Sequence, residues 1–219
     1  MSRTSRRQFA ITAGVAAVNY FLTRCRRADQ STSSAADDKV APTSQPHIEV
    51  TMQPTITPIK QTSLNTCWAA AWTMLLSWSE GRSLSIKEAV ARLGTDWLRQ
   101  FERDEGLDAQ TFTETKFLET SKLRPEPPAN YIPSYYVDLL ASRGPLWINT
   151  GNGIMNHATV LTAAQTRRNG RIMFQFADPA DGTIVTKTDQ QFFADFEREA
   201  RFIVDRKLDW ELRFQIFHW

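Results

Sequence analysis

The 219 residues include 42% apolar side chains and seven Trp, enough to pack one core, but only two Cys and three His. The net charge of +2 hides an asymmetry. Arg3, Arg6, Arg7, Arg24, Arg26 and Arg27 all lie within residues 1–27, which hold no acid, so the rest of the chain is acidic overall. This argues against a basic nucleic-acid face. Cys25 and Cys67 are too few for a disulfide framework, and no Cys/His cluster has metal-ligand spacing, so neither cofactor nor metal is expected.

Ser5-Arg6-Arg7-Gln8-Phe9 is a twin-arginine pattern. It precedes a mildly apolar stretch, residues 10–22, with the length of a signal h-region and too short to span a bilayer comfortably. Residues 1–27 are therefore expected to form a bacterial Tat export signal, with the Tat machinery as a partner and the periplasm or exterior as destination. Leu22-Thr23-Arg24-Cys25 has the outline of a lipoprotein box, but Arg24 argues against a lipid anchor at Cys25. Residues 28–55, rich in Ser, Thr, Pro, Ala and Asp, are expected to be a disordered linker containing a solvated His47. The folded domain is expected over 56–219.

Cys67 opens a helix whose apolar residues surround it on nearly every side: Ala71, Met74 and Trp78 on one face, Trp68, Trp72, Leu75 and Leu76 on another. Such a helix belongs in a core. Its first residue is nonetheless a thiol, with Asn65 and Thr66 before it as cap candidates, and a helix N-terminus favours negative charge. Gln61 lies six residues upstream, within reach of the same space. Ser85-Ile86-Lys87-Glu88 is a capping box for a second helix, which Gly94 is expected to end. Trp97, Leu98 and Phe101 predict a third helix, Phe112, Phe117 and Leu118 a fourth. After a Pro-rich loop at 125–133, Tyr135, Tyr136, Leu139 and Leu140 predict a fifth, stopped by Gly144-Pro145.

Strands follow: Leu146 to Asn149, His157 to Ala164, Arg171 to Ala177, and one beginning at Ile184-Val185. Phe192, Phe193 and Phe196 predict a helix. Leu208, Trp210, Leu212, Phe214 and Ile216 alternate with polar residues and predict a final strand. Helices first and an antiparallel sheet second make the fold α+β.

His157 begins one strand of a hairpin and Asp178 ends the other. A four-residue loop pairs 157 with 178. A two-residue Asn169-Gly170 turn would instead pair 157 with 182 and draw the two side chains apart. With the first register, a thiol, an imidazole and a carboxylate are available for nucleophilic acyl transfer. Cys67 is the nucleophile, His157 the acid–base, Asp178 the group that orients it, and the Cys67 N–H with the Gln61 amide stabilise the oxyanion. Taken singly, Cys67 is as readily a core residue, His157 a satisfied buried histidine and Asp178 a turn residue. Their joint occurrence favours chemistry.

Gln61-x5-Cys67-Trp68 resembles the oxyanion glutamine and nucleophile segment of the papain-like cysteine protease superfamily, and Asn156-His157-Ala158-Thr159-Val160-Leu161 resembles its histidine strand. The 90 residues from Cys67 to His157 are similar in length to its compact bacterial branches, the C39-like peptidases and the AvrRpt2-type proteases. Gly144-Pro145-Leu146-Trp147, Asp178-Pro179 with Gly182, and Cys67 to Met74 also resemble those branches. The resemblance covers residues 56–187. It implies a helical lobe around the Cys67 helix, a β lobe, a cleft between them holding the active site, and Asp178 in the third triad place, where papain has Asn. Leu64-Asn65-Thr66-Cys67-Trp68 departs from the usual Cys-Gly-Ser-Cys-Trp and lacks its first Cys and its Gly. The expected function is an exported cysteine endopeptidase acting on protein or peptide. A cysteine-dependent amidase or transamidase, or a peptide-binding module on the same fold, are the alternatives. Trp147, Asn152 and Met155 are candidates for cleft specificity.

Overall fold

The computed structural model describes residues 49–51, 53, 55–107, 113–151, 156–167, 169–205 and 215–219. The proposed signal, Cys25 and His47 lie outside the described residues, as do Phe112, Asn152, Met155 and the stretch Leu208 to Phe214.

The helices are α1 (Cys67–Glu80), α2 (Ile86–Ala91), α3 (Thr95–Glu102), α4 (Thr113–Ser121), α5 (Pro133–Arg143) and α6 (Asp189–Asp205). The strands are β1 (Glu49–Thr51), β2 (Arg124–Pro125), β3 (Leu146–Gly151), β4 (Asn156–Thr166), β5 (Ile172–Asp178), β6 (Thr183–Thr188) and β7 (Ile216–His218). They form one antiparallel sheet in the order β2-β7-β3-β4-β5-β6, with β1 added beside β4. The fold is mixed α+β, consistent with a papain-like architecture.

Local chemistry explains most element boundaries. The Ser85 hydroxyl accepts the Glu88 N–H while the Glu88 carboxylate accepts the Ser85 N–H, so both ends of the capping box are made. Gly81, at φ 64, ends α1 in the left-handed region, and its N–H and the next close onto the Trp78 and Ser77 carbonyls. Gly94 does not end α2, which stops at Ala91. At φ 113 it serves instead as the residue leading into α3.

Two apolar clusters hold the domain together. In one, every α1 residue from Trp68 to Leu76 is buried. Phe117 lies at the centre of its aromatics, with ring centroids 5.9 Å from Trp68, 6.0 Å from Trp72, 5.5 Å from Trp97 and 5.3 Å from Trp147. This one ring ties α1, α3, α4 and β3 together, and each such buried side chain contributes about 2 kcal/mol or more. Trp147 is therefore core, not cleft: it is 1% exposed and donates its indole N–H to Asn149 Oδ1. The second cluster gathers Tyr136, Leu140, Phe174, Phe176, Phe192 and Phe196 from α5, β5 and α6.

Three features differ from the sequence reading. The expected linker through residue 55 already contains a strand, because Glu49–Thr51 pair with Gln165, Ala164 and Ala163, where β4 extends beyond the start of β3. Among the described residues the last strand is β7, which runs on past Ile216 to His218. It enters between β2 and β3 and is fastened by His218, 3% exposed, whose Nε2 lies 2.8 Å from Glu126 Oε1. The hairpin register is neither of the two considered. Thr166 pairs with Ile172 across a longer loop, and a bulge at Thr162 shifts the ladder so that Leu161 faces Phe176 and Val160 faces Ala177.

Candidate active site

The turn before α1 is built by its own small polar side chains. Contrary to the expectation from sequence, Thr66, fully buried, does not cap the helix with its hydroxyl. It donates that hydroxyl back to the Ser63 carbonyl at 3.1 Å and accepts the Ser63 N–H at 3.1 Å. The Thr66 carbonyl receives the Ala69 and Ala70 N–H groups and so begins the helical ladder. Cys67 is the first helical residue and is half-buried, whereas the nine residues after it are buried.

A second loop grips this turn. Asp104, just beyond α3, accepts the Ser63 hydroxyl at 2.6 Å and the Asn65 N–H at 3.0 Å on Oδ1, and its carbonyl accepts Asn65 Nδ2 at 3.0 Å. The neighbouring Glu105 carbonyl accepts the Trp68 indole N–H at 3.0 Å. Sequence reasoning passed over Asp104. Arg103-Asp104-Glu105-Gly106 reads only as a helix stop, and nothing local ties it to a turn about forty residues earlier.

His157 near the start of β4 and Asp178 at the end of β5 lie at the same end of an antiparallel pair. The imidazole Nε2 is 2.6 Å from Asp178 Oδ1. Cys67 acts on the same imidazole and favours its protonated form. Burial opposes a charge on this ring. The Asp178 hydrogen bond, the neighbouring Cys67 side chain and the Asp178 charge outweigh it and push His157 up to about 9. Burial likewise opposes charge on Asp178. The His157 hydrogen bond, the Ala180 N–H at 2.9 Å and the charges of His157 and Lys187 still hold its carboxyl below the usual range.

Gln61 is close to both halves of this arrangement. Its backbone N–H donates to the Pro179 carbonyl at 2.8 Å, which joins the segment before α1 to the turn after Asp178. Its side-chain Nε2 donates to the carbonyls of Ser63 at 2.7 Å and Leu64 at 3.1 Å, so both amide hydrogens are held by the turn itself. Among the described residues, no group of three or more His, Cys, Asp or Glu stands close enough to hold a metal ion.

A thiol at a helix start, near an imidazole that is bonded in turn to a carboxylate, is an arrangement able to perform thiol acyl transfer. The family model for Peptidase C70, the papain-like cysteine protease AvrRpt2, matches residues 45–197. The chain belongs to this family. It is therefore a cysteine peptidase with protein as its substrate class. Among curated proteins, none is significantly similar to it. No helix among the described residues of the peptidase is long and apolar enough to cross a membrane.

Proposed function

We propose that this peptidase cleaves peptide bonds through Cys67, His157 and Asp178, and that residues 1–27 send it out of the cell by the Tat route. The observation that carries the catalytic part is the His157 imidazole held 2.6 Å from Asp178, with Cys67 near enough to favour its protonated form. The Cys67 sulfur attacks the scissile carbonyl carbon, and the carbonyl oxygen takes up the negative charge. His157 gives its proton to the leaving amine, the C–N bond breaks, and a thioester remains on Cys67. Water, deprotonated by His157, then attacks the thioester and releases the acid and the thiolate. Asp178 keeps the ring oriented and stabilises the imidazolium.

The oxyanion falls to the Cys67 N–H at the helix start and to the Gln61 amide. For Gln61 this means surrendering one of its two carbonyl partners, Ser63 or Leu64, when the tetrahedral species forms. Losing one such donor costs on the order of 3 kcal/mol of barrier.

Alkylation tests the pair. In a Cys25→Ser protein Cys67 is the only thiol, and its reaction with iodoacetamide is followed from pH 4 to 9 beside a His157→Ala variant. Fast alkylation at pH 5 to 6, lost in His157→Ala, supports the ion pair. A rate that rises only near the free-thiol value of about 8.5, unchanged by the mutation, overturns it. Export is tested by replacing Arg6 and Arg7 with Lys: the variant should stay with the cytoplasmic fraction while the parent leaves it.

A further inference from the structure

We infer that Asp104 is a positioning residue of the proteolytic site, holding the Ser63–Asn65 turn and, through it, the Gln61 amide in place beside Cys67. The inference rests on the catalytic reading above and adds to it a residue from a separate loop.

Four observations converge. Asp104 is in the left-handed region at φ 56, one of only two non-glycine residues to be so among those described. Such backbone is disfavoured for most side chains and tolerated by Asp and Asn. The conformation turns both its carboxylate and its carbonyl toward one turn: Oδ1 takes the Ser63 hydroxyl and the Asn65 N–H, and the carbonyl takes Asn65 Nδ2. The next residue, Glu105, holds Trp68 through its carbonyl, so the loop grips the chain on both sides of Cys67. The Ser63 and Leu64 carbonyls, within and beside the clamped residues, are the two acceptors of the Gln61 amide.

The chemistry specifies what Asp104 must supply. A hydroxyl and a backbone N–H both point at one oxygen, so the position calls for an acceptor that also accepts left-handed backbone. Asn meets both conditions without the charge. Gly meets the backbone condition alone. The pair Asp104→Asn and Asp104→Gly therefore separates the hydrogen bonds from the strain.

The clamp acts on the oxyanion side of the site and not on the Cys67–His157 contact, because none of its bonds reaches β4 or β5. Its removal should lower turnover while leaving the thiol–imidazole pair intact. A purely structural role would instead reduce the thermal midpoint and the fraction of active molecules, with turnover per active molecule unchanged.

The experiment uses the full chain with Cys25→Ser, as the parent and with Asp104→Asn, Asp104→Gly or His157→Ala added. Iodoacetamide at pH 6 counts the reactive thiols. Hydrolysis of an N-benzyloxycarbonyl amino-acid p-nitrophenyl ester then gives kcat per reactive thiol and KM. Asp104→Gly should lose roughly tenfold or more in kcat, with KM within about twofold and the alkylation rate at pH 6 unchanged; Asp104→Asn should recover most of the loss. Parent-like kcat per thiol in Asp104→Gly overturns the positioning role while the catalytic reading stands. An equal loss in Asp104→Asn also overturns it, because an acceptor at that position would then not suffice. A parent protein that alkylates no faster than His157→Ala, or that hydrolyses the ester no faster, removes the catalytic reading itself, and the positioning role falls with it.

Discussion

His157 and Asp178 meet on a diagonal of the β4–β5 ladder and not as a directly opposed pair. Their contact is 2.6 Å, yet the register that puts Val160 opposite Ala177 carries on to put Thr159 opposite Asp178. His157 is two residues further along, on the same side as Thr159, within the reach of a diagonal neighbour. The bulge at Thr162 makes this possible. Without that shift the pairing set at Thr166 and Ile172 would bring Val160 opposite Asp178 and turn His157 to the other side of the sheet.

Variants of Asp178 should therefore rank by what they leave for the imidazole. Asp178→Asn keeps an acceptor oxygen for both His157 and the Ala180 N–H, and should lose about tenfold in kcat/KM. Asp178→Ala removes it and should lose on the order of 10²-fold. In both, the alkaline limb of the kcat/KM profile should move to lower pH, because Asp178 is one of the groups that raise His157. A limb that stays in place in Asp178→Ala would separate this carboxylate from the proton transfer.

The same pair makes stability depend on pH with a definite sign. The folded state raises His157 from 6.5 to about 9, so between those values it holds a proton that the unfolded chain has released. The contribution of the imidazolium is complete below 6.5 and disappears as pH rises through about 9. Asp178 is lowered from 3.8, so its contribution is complete above that value and is lost as pH falls below it. Together they stabilise most between about 4 and 6.5. With the His157 side chain 29% exposed, the alkaline loss is on the order of 2 kcal/mol, or about 4–8 °C in Tm. Thermal melts at pH 6.5 and 9 should show this fall in the parent protein and a shallower one in His157→Gln.

Much of this was legible in the sequence because it is local. The start of α1 at Cys67, the Ser85–Glu88 box and the hairpin bringing His157 toward Asp178 follow from apolar period, capping chemistry and turn composition. The register was not legible. It depends on a five-residue loop and on Thr162, whose hydroxyl donates to the Gln175 carbonyl at 3.2 Å where the ladder slips, and no residue type announces either. Asp104 and β1 were missed for a related reason. Each has its partner far along the chain, at Ser63–Asn65 and at Ala163–Gln165, and single-chain periodicity carries no information about such pairs. For Gln61, composition and spacing say nothing of the engagement of its side chain with the Ser63 and Leu64 carbonyls, which is set by the fold of the turn.

Gly182 should tolerate no side chain. It closes the turn after Asp178 by donating its N–H to the Asp178 carbonyl, and its φ is +68. A Cβ there would stand 2.9 Å from both the backbone N and the Cβ of Lys60, the residue before Gln61. Neither of those atoms is the free end of a flexible side chain, so the two segments would have to part. Their separation would strain the bond from the Gln61 N–H to the Pro179 carbonyl. Gly182→Ala should cost about 2–3 kcal/mol, seen as a Tm lower by roughly 5–10 °C, and should lower turnover as well. A variant with parent-like Tm would show that the Lys60 segment yields without cost.

Thr66 offers the cleanest separation of shape from hydrogen bonding. Its side chain is fully buried, and its hydroxyl both donates to the Ser63 carbonyl and accepts the Ser63 N–H. Val has nearly the same volume but no hydroxyl, so Thr66→Val leaves the half-buried Ser63 N–H without this partner, while the Ser63 carbonyl keeps the Gln61 amide. A backbone N–H left without a partner costs about 1–3 kcal/mol where water cannot replace it. Ser keeps the hydroxyl and loses one methyl, about 1 kcal/mol of packing. If the hydrogen bonds dominate, denaturant midpoints should fall further in Thr66→Val than in Thr66→Ser. Turnover should follow the same order, because the Ser63 carbonyl that Thr66 fixes is also an acceptor of the Gln61 amide. The opposite order in the midpoints would mean that methyl packing under α1, and not the hydroxyl, sets the shape of the turn ahead of Cys67.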